Sequence, residues 1–389
     1  MDLRSRIRRR QHSGNDAQLI LDYDAVNPAV HVEEPTGRGP VLEQLLDYTD
    51  PIFHGQLPSH AYVWGPSGSG KSAVITALLT QLDRLLCRSR TAIHTTTRAR
   101  PDGTPAFVYV DARRARSDFG LYQTILDSVL EESVPEHGVG VDAISSWLSE
   151  HLEPRENRVL VAVDHVGEPD TYSLSELAGT LSPLNDSLSW IAVGRSPPDD
   201  LPEIPPEHIE IPAYDDHVLV DILTERASDG LSQRAVTHEQ LRRIVRWGEG
   251  NAHNALAALL SAASVAVAHN RSRVIDEDIQ TGMDAVPRPS VSLARVLCLS
   301  QNRQSVLRQL VDLDDTERAS VDTTTETIAQ TSGVNLSEAT VKRFLYELAE
   351  TGIIERVTND TSPGIGRPPS RLEPRFPTLV FRQLYDLPS

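Results

Sequence analysis

The sequence predicts an α/β fold built on a parallel sheet, followed by a small all-helical domain and a C-terminal winged helix. Three observations carry this reading. Four short apolar runs alternate with amphipathic stretches up to about residue 211, the pattern of strands joined by crossover helices and covered on both faces. Residues 212–288 hold helical periodicity with no good strand, and residues 289–389 hold helical stretches followed by a hairpin signal.

In chain order, residues 1–25 read as a flexible basic tail, with five arginines in the first ten positions and then the polar "QHSGNDAQ". A disordered leader and a basic arm on nucleic-acid phosphates are both open for it. Over residues 26–211 the strands are "HAYVWG" (60–65), "AFVYVDA" (106–112), "RVLVAVD" (158–164) and "LSWIAVG" (188–194). Helices such as "SAVITALLTQLDRLL" and "LYQTILDSVLEES" separate them, and "TRARPDGTP" (97–105) is a loop. In the helical region, Thr237 and Asp276 are expected N-caps, each followed by acidic residues. "VPRPS" (286–290) is the expected linker to the last domain.

Composition narrows the function classes. A net charge of −18 with 39% hydrophobic and 5% aromatic residues describes a globular but self-repelling chain. Lys71 and Lys342 are the only lysines among 37 basic residues. That bias, with abundant Asp and Glu, points to a high-salt cytoplasm of the haloarchaeal kind, where charges are screened over a few ångströms. The acidity therefore does not exclude a nucleic-acid partner. Cys87 and Cys298 lie too far apart in sequence for a CxxC metal site or a disulfide framework. With no apolar run of about 18 residues, a soluble cytoplasmic protein with no membrane partner is expected.

The first strand leads into Gly65-Pro66-Ser67-Gly68-Ser69-Gly70-Lys71-Ser72. Glycines at this spacing let backbone N–H groups curl around phosphate, the following helix adds positive potential, and Lys71 reaches the outer phosphates. Ser72 is placed to give a hydroxyl to Mg2+. The competing reading is a chance Gly/Ser-rich turn; the strand–loop–helix context argues against it. Asp164, ending the third apolar run, is the second expected Mg2+ contact, against the plainer reading of a strand-end cap. ATP or ADP with Mg2+ is thus the expected cofactor.

His165 follows Asp164 where nucleotide-hydrolysing enzymes of this kind carry a glutamate. It is the candidate base, with a reference pKa of about 6.5; the competing reading is a lost catalytic carboxylate and weak or absent hydrolysis. Glu168 lies in a loop and is not assigned the role.

Near the C-terminus, Ser337 is placed to N-cap a helix whose Val341, Phe344, Leu345 and Leu348 keep the i, i+3, i+4, i+7 spacing. Glu338, Thr340, Lys342, Arg343 and Tyr346 fall at or near its outer face, the arrangement of a recognition helix for a major groove. "IIERV" and the Gly/Pro-rich "TNDTSPGIGRPPSR" read as strand and wing. Arg367, Arg371, Arg375 and Arg382 stand against Glu373 alone over residues 363–385, a basic island expected to meet duplex DNA. A winged helix used only for protein contacts is the alternative.

These motifs resemble, in order and over nearly the whole chain, the archaeal replication initiators of the AAA+ class, the family of origin recognition complex subunit one and cell division control protein six. "HVEEPTGRGPVLEQLL" is similar to the family's approach to the nucleotide loop, with Gly37-Arg38 where an Arg-Glu pair is usual. Pro212-Ala213-Tyr214 resembles its passage from an AAA+ base into a helical lid, and "GEGNAHNALAALL" its sensor-two helix. The resemblance implies nucleotide contacts from Tyr214 and His253, origin duplex DNA as partner, and other initiator subunits or a replicative helicase as further partners. It also implies a nucleoid-associated protein. Departures from the pattern fall at His165, at Gly194-Arg195 in place of a sensor-one asparagine, at His253 in place of an arginine, and in "LPEIPPEHIEIP", which lacks the arginine that acts across a subunit boundary. The expected function is therefore an initiator in which nucleotide acts mainly as a conformational switch; the alternative is a non-catalytic transcription or plasmid-maintenance regulator on the same scaffold.

Overall fold

The computed structural model describes residues 18–91, 104–130, 134, 138–331, 335–358 and 370–387. They fall into two compact units: residues 31–213, and residues up to 30 together with 214 onward. The chain therefore enters the first unit once, after a short helix α1 (Tyr23–Val26), and leaves it once.

In the first unit the chain runs through α2 (Gly39–Thr49), β1 (Ala61–Trp64), α3 (Lys71–Thr91), β2 (Ala106–Asp111), α4 (Asp118–Val129), α5 (Val141–Leu152), β3 (Val159–Val166), α6 (Leu174–Leu181), β4 (Leu188–Gly194) and β5 (Glu207–Glu210). The strands make one parallel sheet in the order β2-β3-β4-β1-β5. Because successive side chains of a strand point to opposite faces, β3 serves two cores at once. Val159, Val161 and Val163 pack with Leu121, Ile144 and Leu177 of α4, α5 and α6, whereas Leu160 and Ala162 pack with Leu45 and Ile75 of α2 and α3. Both faces being covered, the strand reads as an unbroken apolar run; each fully buried valine or leucine contributes about 1.5–3 kcal/mol.

Within the sheet, two features depart from the sequence expectation. β3 continues past Asp164, and the register with β4 shifts between Asp164 and Val166, where His165 takes φ +69°. β5 was not expected as a strand. It lies at the sheet edge and buries only Ile209, so its letters carry no apolar run.

The second unit starts with α7 (Asp216–Gly230), α8 (His238–Gly248), α9 (Ala252–Ala268) and α10 (Asp276–Asp284). Apolar residues surround most of α9, which fits its central place. Gly282 lets α10 cross closely, since a Cβ there would stand 2.6 Å from the Ala258 carbonyl oxygen. Thr237 caps α8 as expected, in a reciprocal capping box with Gln240. Asp276 does not cap α10: it is the first helical residue, and the Ile275 N–H is taken by Asp278.

The chain continues as α11 (Leu293–Leu297), α12 (Gln301–Asp312), α13 (Val321–Gln330), α14 (Glu338–Glu350), the antiparallel pair β6 (Ile354–Thr358) and β7 (Ser370–Pro374), and α15 (Thr378–Asp386). This is the winged helix. Val341, Phe344, Leu345 and Leu348 of α14 are buried, as their spacing required. One core runs from α7 to α15, so the expected linker at 286–290 does not separate two cores. α15, unforeseen in the sequence, supplies Phe381, which meets Phe376 edge-on at 5.2 Å between ring centres.

Residues 18–25, expected in the flexible tail, and residues 26–30, expected in the base, form a strap on the second unit. Leu19, Ile20 and Val26 are buried in this same core. The Leu21 and Asp22 N–H groups donate to the Gly230 carbonyl, and Ser232 N–H donates to Leu19. The arginine-rich stretch of residues 1–17 lies outside the described residues.

Candidate functional site

At the C-terminal edge of the sheet, β1 hands the chain to α3 through residues 65–70. Gly65, Gly68 and Gly70 have φ of +153°, +73° and +81°. At Gly65 a Cβ would lie 2.1 Å from the Ile211 carbonyl oxygen, so only glycine fits between the loop and the chain leaving β5. Pro66 is exposed, Ser67 and Gly68 are half-buried, and Ser69 is buried with its Oγ lacking a partner. Arg38, itself buried, donates through Nη2 to the Ser69 carbonyl at 2.6 Å and to the Pro212 carbonyl at 2.8 Å.

Lys71 opens α3. Its Nζ donates to the carbonyls of Gly65 and Pro66 at 2.8 and 2.7 Å. Burial pushes its ammonium down, to about 8; Arg195 adds to this, Asp164 and Glu168 oppose it, and Arg38 reinforces it. Ser72 follows, half-buried in the first turn. A cation, a buried hydroxyl lacking a partner and a helix N-terminus converge on one loop, and this donor set fits a phosphate chain.

Asp164, 1% exposed, lies across β4 from this loop. Its Oδ1 accepts the His165 N–H at 2.7 Å and its Oδ2 the Tyr109 hydroxyl at 2.8 Å. Tyr109 was missed in the sequence; the available signal is its place two residues before Asp111, which pairs with Asp164 across the β2–β3 ladder. Burial and the neighbouring carboxylate hold its phenol far above the ordinary range. Asp111 takes a two-pronged bond from Arg113 at 3.0 and 2.9 Å.

The left-handed turn at His165 sends its ring back between two carboxylates: Nε2 is 3.5 Å from Asp164 Oδ2 and Nδ1 3.5 Å from Glu168 Oε1. Glu168 is therefore no bystander. Its side chain is 4% exposed, Arg195 Nη2 donates to its Oε1 at 2.6 Å, and its Oε2 is buried without a partner. Burial raises its carboxyl, but His165, Arg195 and Arg113 outweigh that and leave it at about 2. Arg195 follows Gly194, where a Cβ would come within 2.5 Å of the Tyr62 hydroxyl; any side chain at 194 would displace Tyr62. Among the described residues no group of three or more His, Cys, Asp and Glu side chains could hold a metal. A hydroxyl and one carboxylate near a phosphate site are nevertheless a usual Mg2+ set.

Tyr214 and His253 lie in the other unit. Tyr214 N–H donates to the Gly250 carbonyl at 3.1 Å, and His253 Nε2 accepts the Leu293 N–H at 2.9 Å, tying the start of α9 to α11.

At the start of α14, Ser337 Oγ accepts the Thr340 N–H at 3.3 Å, and the cations of the outer face are met by acids of the same chain. Lys342 pairs with Asp322 at 2.7 Å, and Arg343 lies 3.6 Å from Glu347 and stacks over Phe344. Tyr346 is exposed under Arg356. Arg371 pairs with Glu373 and Asp315, Arg375 with Glu355, and Arg382 with Asp312. The basic island expected from the sequence is thus largely neutralised within the fold, because acids distant in sequence reach it. Arg367 lies outside the described residues.

Residues 34–191 match the model of an AAA ATPase domain. Among similar proteins, an ORC1-type DNA replication protein of Halobacterium salinarum is 23% identical over 377 residues, covering 90% of this chain and 91% of that protein. One from Thermococcus onnurineus is 21% identical over 292 residues, 70% and 67% of the two chains. The Aeropyrum pernix ORC1 protein, solved in complex with DNA, superposes with a TM-score of 0.61 at 20% identity, over 95% of this chain and 97% of that one. The likeness spans both units, and no helix among the described residues is long and apolar enough to cross a membrane.

Proposed function

Proceeding from a chain that carries an AAA ATPase domain and resembles the archaeal ORC1-type initiators along its length, we propose that it binds ATP or ADP with Mg2+ and grips duplex DNA as a replication initiator. Nucleotide acts on it mainly as a conformational switch. The observation that carries this reading is the loop at 65–72, with Lys71, the unpartnered Ser69 hydroxyl and Asp164 gathered at one sheet edge.

In this reading the backbone of residues 66–70 and the start of α3 cradle phosphate, and Lys71 exchanges its bonds to the loop carbonyls for phosphate oxygens. Ser72 and Asp164 would hold Mg2+, which would offset phosphate charge; Tyr109 and the His165 N–H fix the Asp164 carboxylate. For Tyr214 and His253 a nucleotide contact rests on the resemblance alone. Hydrolysis is weak. The ring of His165 faces two carboxylates of its own chain, and Glu168 is engaged by Arg195, so neither His165 nor Glu168 is free to polarise water. α14, through Thr340, Lys342, Arg343 and Tyr346, meets the major groove, and Arg371 and Arg375 add phosphate contacts.

The Arg195–Glu168 pair also favours a second reading, a DNA-binding regulator that retains the scaffold without hydrolysis. The deciding experiment measures ADP and ATP binding, turnover and duplex-DNA affinity on one preparation in high salt, then maps bound sites across the genome. Tight nucleotide with little turnover and sites at origins is expected. Sites confined to promoters would establish the regulator instead, and absence of nucleotide binding would remove the nucleotide-switched initiator.

A further inference from the structure

The chain passes between its two units only at residues 30–31 and 213–214. Arg38 stands eight residues after the first crossing, and its Nη2 holds two carbonyls at once. One belongs to Ser69 in the phosphate loop; the other belongs to Pro212, two residues before the second crossing. Next to Pro212, Ile211 donates its N–H to Trp64 at 2.7 Å, and its carbonyl oxygen abuts the α-carbon of Gly65. The loop and the root of the second crossing are thus tied by one buried guanidinium, one backbone bond and one glycine-only contact.

We propose that Arg38 is a positioning residue that couples occupancy of the phosphate loop to the chain crossing at Ala213–Tyr214, and so to the angle between the units. The inference rests on the reading that the loop binds nucleotide. Lys71 spends two donors on Gly65 and Pro66 carbonyls; filling the loop with phosphate draws the ammonium off them, and the backbone at 65–69 must adjust. A planar guanidinium spanning Ser69 and Pro212 transmits that adjustment, whereas a more flexible, point-charge side chain at this position does not.

The test uses the full chain with donor and acceptor dyes at Glu203→Cys and Glu239→Cys, Cys87 and Cys298 being replaced by serine, and Mg-ADP as the probe. Energy transfer should change on ADP binding with Arg38 present. In Arg38→Gln, ADP affinity should move by less than about fivefold while the transfer change is lost. Arg38→Lys, which keeps the buried charge, should lose most of it, and it carries the test if the glutamine variant does not fold. A full transfer change in either variant at saturating ADP would overturn the coupling. So would a parent protein that binds ADP with no change in transfer, and that result would leave nucleotide binding standing. A parent that binds no ADP would instead overturn the proposed function on which the coupling rests.

Discussion

Arg195 Nη2 donates to Glu168 Oε1 at 2.6 Å, joining the residue after β4 to a carboxylate whose side chain is only 4% exposed. The pair sits beside Lys71, whose ammonium feels both charges. A buried carboxylate survives only with such partners, since losing one leaves an uncompensated charge in the interior.

Folding lowers the Glu168 carboxyl from 4.5 to about 2, despite burial. A native state that prefers the charged form gains stability that is complete above pH 4.5 and is lost as pH falls toward 2. For this coupled group the contribution is on the order of 3 kcal/mol. Glu168→Gln should lower the urea midpoint at pH 7 and flatten the loss between pH 4.5 and 2. Parallel titrations of parent and variant, equally steep over that range, would show that the pair does not stabilise the fold.

Gly65 and Gly167 both have positive φ, yet their alanine variants should differ. Around Gly167 a Cβ meets nothing within 4 Å, while at Gly65 it would be 2.1 Å from the Ile211 carbonyl oxygen. Gly167→Ala should cost only the left-handed strain, about 1–2 kcal/mol. Gly65→Ala should cost more and abolish nucleotide binding, because backbone cannot yield as a side chain can. Thermal melts with and without ADP check this; equal melting shifts would refute the close contact.

What the letters reveal depends on how local the physics is. β3 and β4 were legible because burial on both faces turns them into continuous apolar runs, and α14 because a one-sided core imposes the 3.6-residue period. The phosphate loop was legible because its chemistry fixes glycine spacing. β5 was not, since an edge strand with one buried residue leaves no pattern. Glu168 lies in the turn after β3, as expected, but its burial was not legible because it is decided by Arg195, 27 positions on. Likewise, the basic residues near the C-terminus looked free because their acids, such as Asp315 and Glu355, come from elsewhere in the chain.

The strap at 18–30 is a further non-local case, and it makes a prediction of its own. Arg226, 7% exposed, donates to the Asn27 carbonyl at 2.6 Å and the Val30 carbonyl at 3.3 Å. Arg226→Met removes the charge but orphans these carbonyls, at about 1–3 kcal/mol for a buried polar group left unmade. Amide exchange should rise first across residues 18–30 and at Leu231–Ser232, whose backbone faces the strap. Unchanged exchange there would mean that apolar burial of Leu19, Ile20 and Val26 holds the strap alone.

DNA binding by α14 has to compete with the ion pairs already made there. Lys342 lies 2.7 Å from Asp322 on α13, and both side chains are substantially exposed. A phosphate that recruits Lys342 must displace a carboxylate, so the two positions should respond in opposite directions. Lys342→Ala should weaken duplex binding at all sequences and reduce the slope of log affinity against log salt by about one, the signature of one lost phosphate contact. Asp322→Asn should strengthen binding by a factor of about two to five, the range released when an exposed pair is broken, with the parent's salt slope kept. Fluorescence anisotropy over a salt series measures both. If Lys342→Ala leaves affinity and slope untouched, α14 is not the helix that meets the duplex; if only Asp322→Asn is silent, Lys342 already leaves its partner in high salt, where screening over a few ångströms loosens exposed pairs.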